Sequence, residues 1–268
     1  MGEHEQGSVP GPEGSLQVMS PSSAGAAGGA RVALVTGASR GIGLALADAL
    51  AVSGVDLTVV ARNSERLQGA RDRLAKHGVD VLAVAADLQH ADEVARVVQV
   101  HRSHFGQLDI LVNNAGFGIS APIEKHSNRN IDLLLAVNLR SVVVMYREAM
   151  DMLEQASSDH GNALVVNVSS ITGKVGTELL SVYSAAKHGV VGFTQSMNRE
   201  LADRGIKSCV ICPAYVDTDL ASYAHEIVPQ EQMIRPSDIA EMLRALLQLS
   251  RWCVVPEIIL TRPGDGYL

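Results

Sequence analysis

A glycine-rich turn between an apolar strand and a helix is the feature that most limits how this chain can fold. Arg31 to Thr36 is a short apolar run with β-branched residues, which predicts a buried strand. Gly37, Gly41 and Gly43 follow it, and residues 44–52 have helical composition. Glycines in such a turn let backbone N–H groups approach a pyrophosphate at the positive end of the helix. The arrangement therefore predicts a dinucleotide site at the start of an α/β domain.

The end of the second predicted strand bears on which dinucleotide would bind. Residues 56–61 form this strand, and it ends on Arg62, where a cofactor with a free ribose 2′-hydroxyl usually meets Asp or Glu. Ser39 and Arg40 lie within the glycine-rich turn. Two guanidinium groups and a hydroxyl suit a 2′-phosphate, so the sequence favours NADP(H) over NAD(H). In the alternative interpretation, Arg62 is only the exposed end of a strand.

Polar and small residues follow the third and fourth predicted strands. Asp87 and Leu88 come after a strand at 79–86. Ligands of open α/β sheets lie outside the carboxyl ends of the strands, so Asp87 could accept a hydrogen bond from an adenine amino group. It could also cap the helix predicted at 91–104, and the two roles are compatible.

The fourth strand, 109–112, runs into Asn113, Asn114, Ala115 and Gly116. Asparagines at a strand end can bridge backbone groups and stabilise a turn. The small residues beside them leave room for a cofactor ribose.

A buried asparagine is predicted in the long helix near 128–156. Asn138 lies there among leucines and valines, and a buried amide needs hydrogen-bond partners. Two interpretations stay open. Asn138 could kink the helix by holding a water and so connect Lys187 to solvent, or it could be a satisfied asparagine of the core.

A tyrosine and a lysine share one face of a later helix. Tyr183 and Lys187 are four residues apart in an Ala-rich segment, so their side chains lie one turn apart. A phenol has a pKa of ~10 and is a poor base at neutral pH. A cation ~4 Å away at an effective dielectric of ~20 contributes ~4 kcal/mol, or about three pKa units. Strand 164–168 brings Ser170 to the same edge of the sheet, so the pair is predicted to perform acid–base catalysis.

Composition excludes several other classes of function. The net charge of −7 gives no electrostatic footprint for nucleic acid, and an aromatic content of 3% offers no base-stacking platform. No apolar run reaches the ~18 residues that a membrane span needs. Three cysteines in 268 residues form no disulfide framework, which favours a reducing compartment and a cytoplasmic location.

Two pairs of metal-binding or redox-active residue types are expected to have ordinary structural roles. His101 and His104 lie on one helix without an evident third ligand, so they are expected on a solvated face and no metal is predicted. Cys209 and Cys212 form a C-x-x-C pattern on a predicted strand. Side chains at i and i+3 of a strand face opposite ways, so both are expected to pack in the core.

Residues 1–30 differ in composition from the rest of the chain. They are rich in Gly, Ser, Pro and Ala, which predicts a disordered tail ahead of a dinucleotide-binding and catalytic domain at 31–268. The tail has neither the basic character of a transit peptide nor the apolar core of a secretory signal. A dispensable extension is expected, with a docking or targeting role as the alternative.

Taken together, these motifs resemble the short-chain dehydrogenase/reductase family over residues 31 to about 260. The motifs that match in order and spacing are Thr36-Gly37-x3-Gly41-x-Gly43, Asn113-Asn114-Ala115-Gly116, Ser170, Tyr183-x3-Lys187 and Pro213-Ala214-Tyr215-Val216-Asp217-Thr218. The resemblance implies a single Rossmann-like, doubly wound α/β domain with about seven parallel strands. It also implies hydride transfer between a nicotinamide and a carbonyl or alcohol.

The resemblance also implies a role for each matching residue. Tyr183 would be the acid/base, Lys187 would lower its pKa and bind the ribose, Ser170 would hold the substrate oxygen, and Asn138 would complete a proton relay. The implied cofactor contacts, together with those argued above, are Gly37, Ser39, Arg40, Gly41, Ile42, Gly43, Arg62, Asp87, Leu88, Asn114, Ala115, Gly116, Tyr183, Lys187, Pro213, Val216 and Thr218. The Tyr–Lys spacing fits reductases of ordinary carbonyls and not the enoyl reductase branch.

The chain departs from the family pattern at Ala214, where the family usually has glycine. The added methyl group should cost little unless the backbone needs a positive φ. Residues 219–235 would form a short substrate lid whose apolar members are Leu220, Tyr223, Ile227 and Val228. These residues suit a medium-sized hydrophobic carbonyl compound; in the alternative interpretation they only pack the lid against the protein.

Three functions are compared. The sequence favours an NADPH-dependent carbonyl reductase, resembling 3-oxoacyl or short-chain ketone reductases and acting as a homodimer or homotetramer. The alternatives are an NADP(H)-binding sensor or scaffold without turnover, and an NAD-dependent alcohol or hydroxysteroid dehydrogenase.

Overall fold

Seven parallel strands form the centre of the protein in a computed structural model that describes residues 30–219 and 228–265. The predicted tail, apart from Ala30, lies outside the described residues, as do Leu220, Tyr223 and Ile227 of the predicted lid. The strands are β1 Val32–Thr36, β2 Asp56–Ala61, β3 Val81–Ala85, β4 Ile110–Asn113, β5 Ala163–Val168, β6 Ile206–Pro213 and β7 Glu257–Leu260. Their order in the sheet is β3-β2-β1-β4-β5-β6-β7, so the direction of winding reverses between β1 and β4.

Helices cover both faces of this sheet. They are α1 Gly41–Val52, α2 Ser64–Leu74, α3 Ala91–Phe105, α4 Asn128–Leu135, α5 Ser141–His160, α6 Ser181–Glu200 and α7 Pro236–Gln248. One apolar core joins the sheet to α3, α5 and α6, and a second joins it to α1 and α7. In the part of the chain that the structure describes, no helix is both long and apolar enough to cross a membrane. The predicted doubly wound α/β fold with seven parallel strands is confirmed.

The two strand cysteines lie as the alternation of side chains predicts. Cys212 packs in the core beside α5 and α6, and Cys209 packs in the core beside α1 and α7. The sheet therefore separates the two thiols, and burial raises the pKa of Cys209 to about 12 and that of Cys212 to about 11. A redox pair between them is excluded by this placement.

His101 does not lie on a solvated face, so that expectation is wrong. Its side chain is fully buried beneath β2. Nε2 donates to the Gln107 carbonyl at 2.8 Å, and Nδ1 accepts from the Thr58 hydroxyl at 2.7 Å. Burial lowers the pKa of His101 to about 4, so the ring is neutral at physiological pH. Val94, Val97 and Val98 are buried on the same helix as this histidine, and its neutral form satisfies both hydrogen-bond partners within the core.

The buried histidine makes stability depend on acid. The unfolded chain binds a proton near pH 6.5 while the folded protein does so only near pH 4, so the free energy of unfolding falls as pH drops across this window. A fall in pKa from 6.5 to about 4 corresponds to about 3 kcal/mol. We expect His101→Gln to flatten this part of the stability curve in denaturant titrations at several pH values. A slope in His101→Gln equal to that of the wild type would contradict the assignment.

Candidate active site

The glycine-rich turn lies at the carboxyl end of β1, where the winding of the sheet reverses. Gly37 and Gly41 have φ of 67° and 56°, in the left-handed region that favours glycine. A Cβ at Gly43 would lie 2.3 Å from the Gly37 carbonyl oxygen, so this position requires glycine for the turn to pack on the helix. No side chain caps the first turn of α1, and that turn contains no acidic residue. Its backbone N–H groups therefore suit a bound anion.

Asn114 and Thr36 hold this turn against the loop after β4. The Asn114 side-chain amide donates to the carbonyls of Thr36 and Gly37, at 3.0 and 3.2 Å. In return, the Thr36 hydroxyl accepts from the backbone N–H groups of Asn114 and Ala115, both at 3.0 Å. The bridging role predicted for an asparagine at this strand end is therefore present at Asn114. Thr36 also bridges the two loops, a role that its position at the end of a strand did not predict.

A cavity of about 650 Å³ opens above these two loops. Most of the residues predicted to bind a cofactor line it, namely Gly37, Ser39, Arg40, Gly41, Ile42, Gly43, Arg62, Asp87, Leu88, Asn114, Ala115, Gly116, Tyr183, Lys187 and Thr218. Pro213 and Val216 line a separate, smaller cavity of about 230 Å³ beside it. The sequence therefore predicted a set of positions that the fold brings together from β1, β2, β3, β4 and α6.

Three arginines line the larger cavity, and two of them, Arg40 and Arg66, lie close enough to Asp219 to act on its carboxylate. Arg40 and Arg62 were predicted, and Arg66 in the first turn of α2 joins them, one helical turn after Arg62. The guanidinium carbon of Arg62 lies 5.9 Å from the centre of the Phe117 ring, across the cavity. Arg40 donates to Asp219 at 2.7 Å. Arg66 adds a positive charge that the sequence analysis did not predict, Asp219 adds a negative one, and Phe117 adds an aromatic ring to the site.

Asp87 lines the larger cavity but does not cap the following helix. The entry residue of α3 is His90, and its side chain makes no capping hydrogen bond. The Asp87 carboxylate instead accepts from the backbone N–H and the side-chain amide of Gln89, at 3.2 and 2.7 Å. The capping alternative is therefore wrong, because a three-residue turn separates Asp87 from the helix.

Lys187 lies buried behind Tyr183 at the inner wall of the larger cavity. Its ammonium donates to the Val168 carbonyl at 2.9 Å and lies 5.6 Å from the centre of the Tyr183 ring. Burial lowers the pKa of Lys187 to about 8. The Ser169 hydroxyl donates to the Lys187 carbonyl at 3.0 Å, which ties β5 to α6. The pair thus shares one helical face, as predicted, and Ser169 is a supporting residue that the sequence analysis did not single out.

Asn138 stands at a break in the long helix. A π turn, Ala136–Arg140, separates α4 from α5. The Asn138 amide donates to the carbonyls of Leu134 and Phe117, both at 2.9 Å, and its oxygen accepts from the Phe117 N–H at 3.2 Å. The predicted irregularity is present, and backbone groups satisfy the amide as expected of a core asparagine, while the water-mediated connection to Lys187 stays a prediction.

Gly116 lets this asparagine and the lysine come close together. A Cβ on Gly116 would lie 2.7 Å from Asn138 Oδ1 and 3.3 Å from Lys187 Nζ. Any side chain there would separate the two groups or displace the loop. The glycine after β4 therefore sets the distance between the Asn138 amide and the Lys187 ammonium.

The smaller cavity adjoins the larger one at Tyr183. Ile42, Ser169, Tyr183 and Thr218 line both, and Ser170 lines the smaller. The Ser170 oxygen accepts from the Thr172 N–H at 3.2 Å, so its own O–H remains to donate. Ala214 lines this cavity too, and among the described residues Leu179 is the non-glycine residue with a positive φ. Ala214 therefore fits without backbone strain, as expected.

Comparisons with known proteins agree with this geometry. Residues 31–227 match the family model for short chain dehydrogenase. A 3-oxoacyl-[acyl-carrier-protein] reductase of Synechocystis is 31% identical over 223 residues, which cover 81% of this chain and 89% of that protein.

Solved structures with the same fold include two enzymes with bound dinucleotides. An alcohol dehydrogenase from Thermococcus sibiricus, complexed with 5-hydroxy-NADP, superposes with a TM-score of 0.79 at 28% identity, over 90% of this chain and 98% of that one. A 3-ketoacyl-(acyl-carrier-protein) reductase from Brucella melitensis, complexed with NADH, has a TM-score of 0.79 at 27% identity, over 87% and 97%. The chain is an oxidoreductase that belongs to the short-chain dehydrogenase/reductase family.

Proposed function

We propose that the protein is an NADPH-dependent reductase of a carbonyl group, with Tyr183 as its acid/base. The observation that carries the proposal is the position of Tyr183 on the wall shared by the two cavities, with Lys187 behind it and Ser170 on the other side. A dinucleotide in the larger cavity and a carbonyl compound in the smaller would therefore meet at one phenol hydroxyl.

The larger cavity fits a dinucleotide on the chemistry of its lining. The glycine-rich turn and the uncapped start of α1 would hold the pyrophosphate. Arg40, Arg62 and Arg66 suit a 2′-phosphate, which takes charge-assisted hydrogen bonds from guanidinium groups. Tyr183 and Lys187 would hold the nicotinamide ribose, with Pro213, Val216 and Thr218 near the carboxamide.

Each residue around the substrate oxygen would have a separate chemical role. Bound NADPH would supply a hydride to the carbonyl carbon. As negative charge develops on the oxygen, the Ser170 hydroxyl donates a hydrogen bond to it and the Tyr183 hydroxyl gives it a proton. Lys187 stabilises the phenolate that remains, because its ammonium is held beside the ring. Asn138 positions the loop of Gly116 and Phe117 that closes the site behind Lys187.

The smaller cavity favours an uncharged substrate end. Within the described part of the chain, none of the residues that line it is acidic or basic, and hydroxyl groups of Ser120, Ser170 and Thr177 alternate with apolar side chains. Val228 of the predicted lid is buried with Met233 against Tyr215. A neutral ketone or oxoacyl group of moderate size suits such a lining.

The proposal is tested by turnover with both cofactors. Ketones, 3-oxoacyl thioesters and the matching alcohols would be screened with NADPH, NADH and their oxidised forms by absorbance of the reduced nicotinamide. We expect reduction of neutral ketones, faster with NADPH than with NADH. Binding of NADPH without turnover of any compound would favour the sensor or scaffold, and faster oxidation of alcohols with NAD would favour the dehydrogenase.

The cofactor preference rests on Arg62 in particular. We expect Arg62→Asp to weaken NADPH relative to NADH by about tenfold or more, because the change removes a charge-assisted contact and adds a repelling carboxylate. The ratio of kcat/KM with the two cofactors would be measured. Arg129→Asp, an exposed site on α4 outside both cavities, changes the net charge equally and should leave the ratio unaltered. Equal ratios in all three proteins would contradict the NADP(H) assignment.

A further inference from the structure

One carboxylate lies beside two of the arginines that line the larger cavity. Asp219 Oδ2 accepts from Arg40 Nη1 at 2.7 Å, across 179 residues of sequence. The hydrogen bond from Arg40 and, more weakly, the charge of Arg66 hold the pKa of this carboxyl below its usual range. Arg40, Arg66 and Asp219 all line the cavity. The protein therefore places an anion of its own among guanidinium groups that suit a phosphate.

The backbone holds this carboxylate close to the phosphate turn. Thr218 precedes it, and a Cβ on Gly41 would lie 3.1 Å from Thr218 Cγ2. Thr218 thus keeps the backbone that leads into Asp219 beside the phosphate turn. A 2′-phosphate that approached Arg40 would therefore meet a competing acceptor and a nearby like charge.

The ion pair itself is easily exchanged. The side chains of Arg40 and Asp219 are 51% and 68% exposed, and they share a single short contact. Exposed pairs of this kind are weak and are screened by salt. A phosphate monoester carries up to two charges and three acceptor oxygens, so it outcompetes one carboxylate for a guanidinium.

We infer that Asp219 is an internal competitor for the 2′-phosphate of the cofactor and that it limits the preference for NADP(H) over NAD(H). The Asp219 carboxylate occupies Arg40 in the free protein, and the 2′-phosphate displaces it when the cofactor binds. The inference rests on the proposed function, because it assumes that Arg40 receives this phosphate. It predicts that loss of the carboxylate strengthens binding of 2′-phosphorylated nucleotides alone.

The test measures binding of two nucleotides that differ only in the 2′-phosphate. Adenosine 2′,5′-bisphosphate and adenosine 5′-phosphate would be titrated by calorimetry into the full chain and into Asp219→Asn, at low salt. We expect Asp219→Asn to bind the bisphosphate about two- to fivefold more tightly, the range of an exposed ion pair, with adenosine 5′-phosphate unchanged. The gain should shrink in 0.5 M salt, where charges are screened over a few ångströms.

Three further proteins separate this mechanism from a general charge effect: Asp72→Asn, Arg40→Met, and Arg40→Met combined with Asp219→Asn. Asp72→Asn breaks an exposed pair with Arg71 at 2.9 Å on α2, outside the cavity, and should change neither affinity. In an Arg40→Met background, the gain from Asp219→Asn should be smaller than in the wild type, because the contested guanidinium is absent. An undiminished gain there would overturn the inference.

The outcomes also distinguish this inference from the proposed function. If wild type binds both nucleotides equally, the NADP(H) preference itself fails. If the bisphosphate binds more tightly to wild type but Asp219→Asn leaves that affinity unchanged, only the competition is overturned. A weaker affinity in Asp219→Asn would overturn it as well, since Asp219 would then position Arg40 for the phosphate.

Discussion

Replacing Tyr183 by phenylalanine is expected to reduce kcat/KM for carbonyl reduction by about a thousandfold, the combined scale of acid catalysis and charge stabilisation at one oxygen. The substitution removes only the hydroxyl of a residue that lines both cavities. The ring remains to pack beside Lys187, so the fold and the cofactor cavity should persist. Steady-state kinetics with a substrate found by screening would measure the loss.

Cofactor binding distinguishes a chemical role from a structural one. Tyr183→Phe should bind NADPH within a fewfold of wild type, measured by fluorescence of the reduced nicotinamide. Tyr215→Phe is the matched control, because Tyr215 lines the smaller cavity without reaching the larger one. It should change KM for the substrate more than kcat. A Tyr183→Phe protein that turns over ketones as fast as wild type would refute the proposed mechanism.

Local patterns in the sequence were sufficient for the fold and for most of the larger cavity. The glycine-rich turn is specified by a few adjacent residues, since the φ of 67° at Gly37 favours glycine and the close approach at Gly43 requires it. Tyr183 and Lys187 are one helical turn apart, and α6 needs no distant residue to align them. Because the strands are parallel, their carboxyl ends lie at one edge of the sheet. The short motifs that follow these strands therefore lie together in a single site.

Contacts between distant segments could not be predicted in the same way. Asp219 meets Arg40 across 179 residues, and Thr36 meets Asn114 across 78. Nothing in either local pattern indicates such a partner. His101 shows a related limit: it shares a helical face with Val94, Val97 and Val98, so spacing along α3 places it on the buried face. That spacing could not show that Thr58 of a neighbouring strand would satisfy the buried ring.

The buried ammonium of Lys187 connects activity with stability. The unfolded chain keeps its proton up to about pH 10.5, whereas the folded protein releases it near pH 8. Between these values the unfolded state binds more protons, so the free energy of unfolding rises with pH across the window. Below pH 8, Lys187 is protonated in both the folded and the unfolded state, so burial of its charge lowers the free energy of unfolding by the full amount. A fall in pKa from 10.5 to about 8 corresponds to about 3 kcal/mol.

Lys187→Met is therefore expected to stabilise the protein and to inactivate it. The methionine fills a similar volume without a charge, so the free energy of unfolding at pH 7 should rise by about 1–3 kcal/mol, reduced by the lost hydrogen bond to Val168. Denaturant titrations should show the difference shrinking from pH 8 towards pH 10.5. Reductase activity should fall at least a hundredfold, because the Tyr183 phenolate loses its neighbouring cation.

Lys207 provides the matched control for the predicted gain in stability and loss of activity in Lys187→Met. It is largely buried, burial lowers its pKa, and it donates to the carbonyls of Ser250 and Cys253, outside both cavities. Lys207→Met should shift stability by less than Lys187→Met and should retain activity. If Lys187→Met is both less stable than wild type at pH 7 and fully active, the ammonium neither costs folding free energy nor assists the tyrosine. A gain in the free energy of unfolding together with a loss of activity in Lys187→Met would show that the fold keeps this charge at the expense of stability. The reason would be that the chemistry at Tyr183 requires the ammonium.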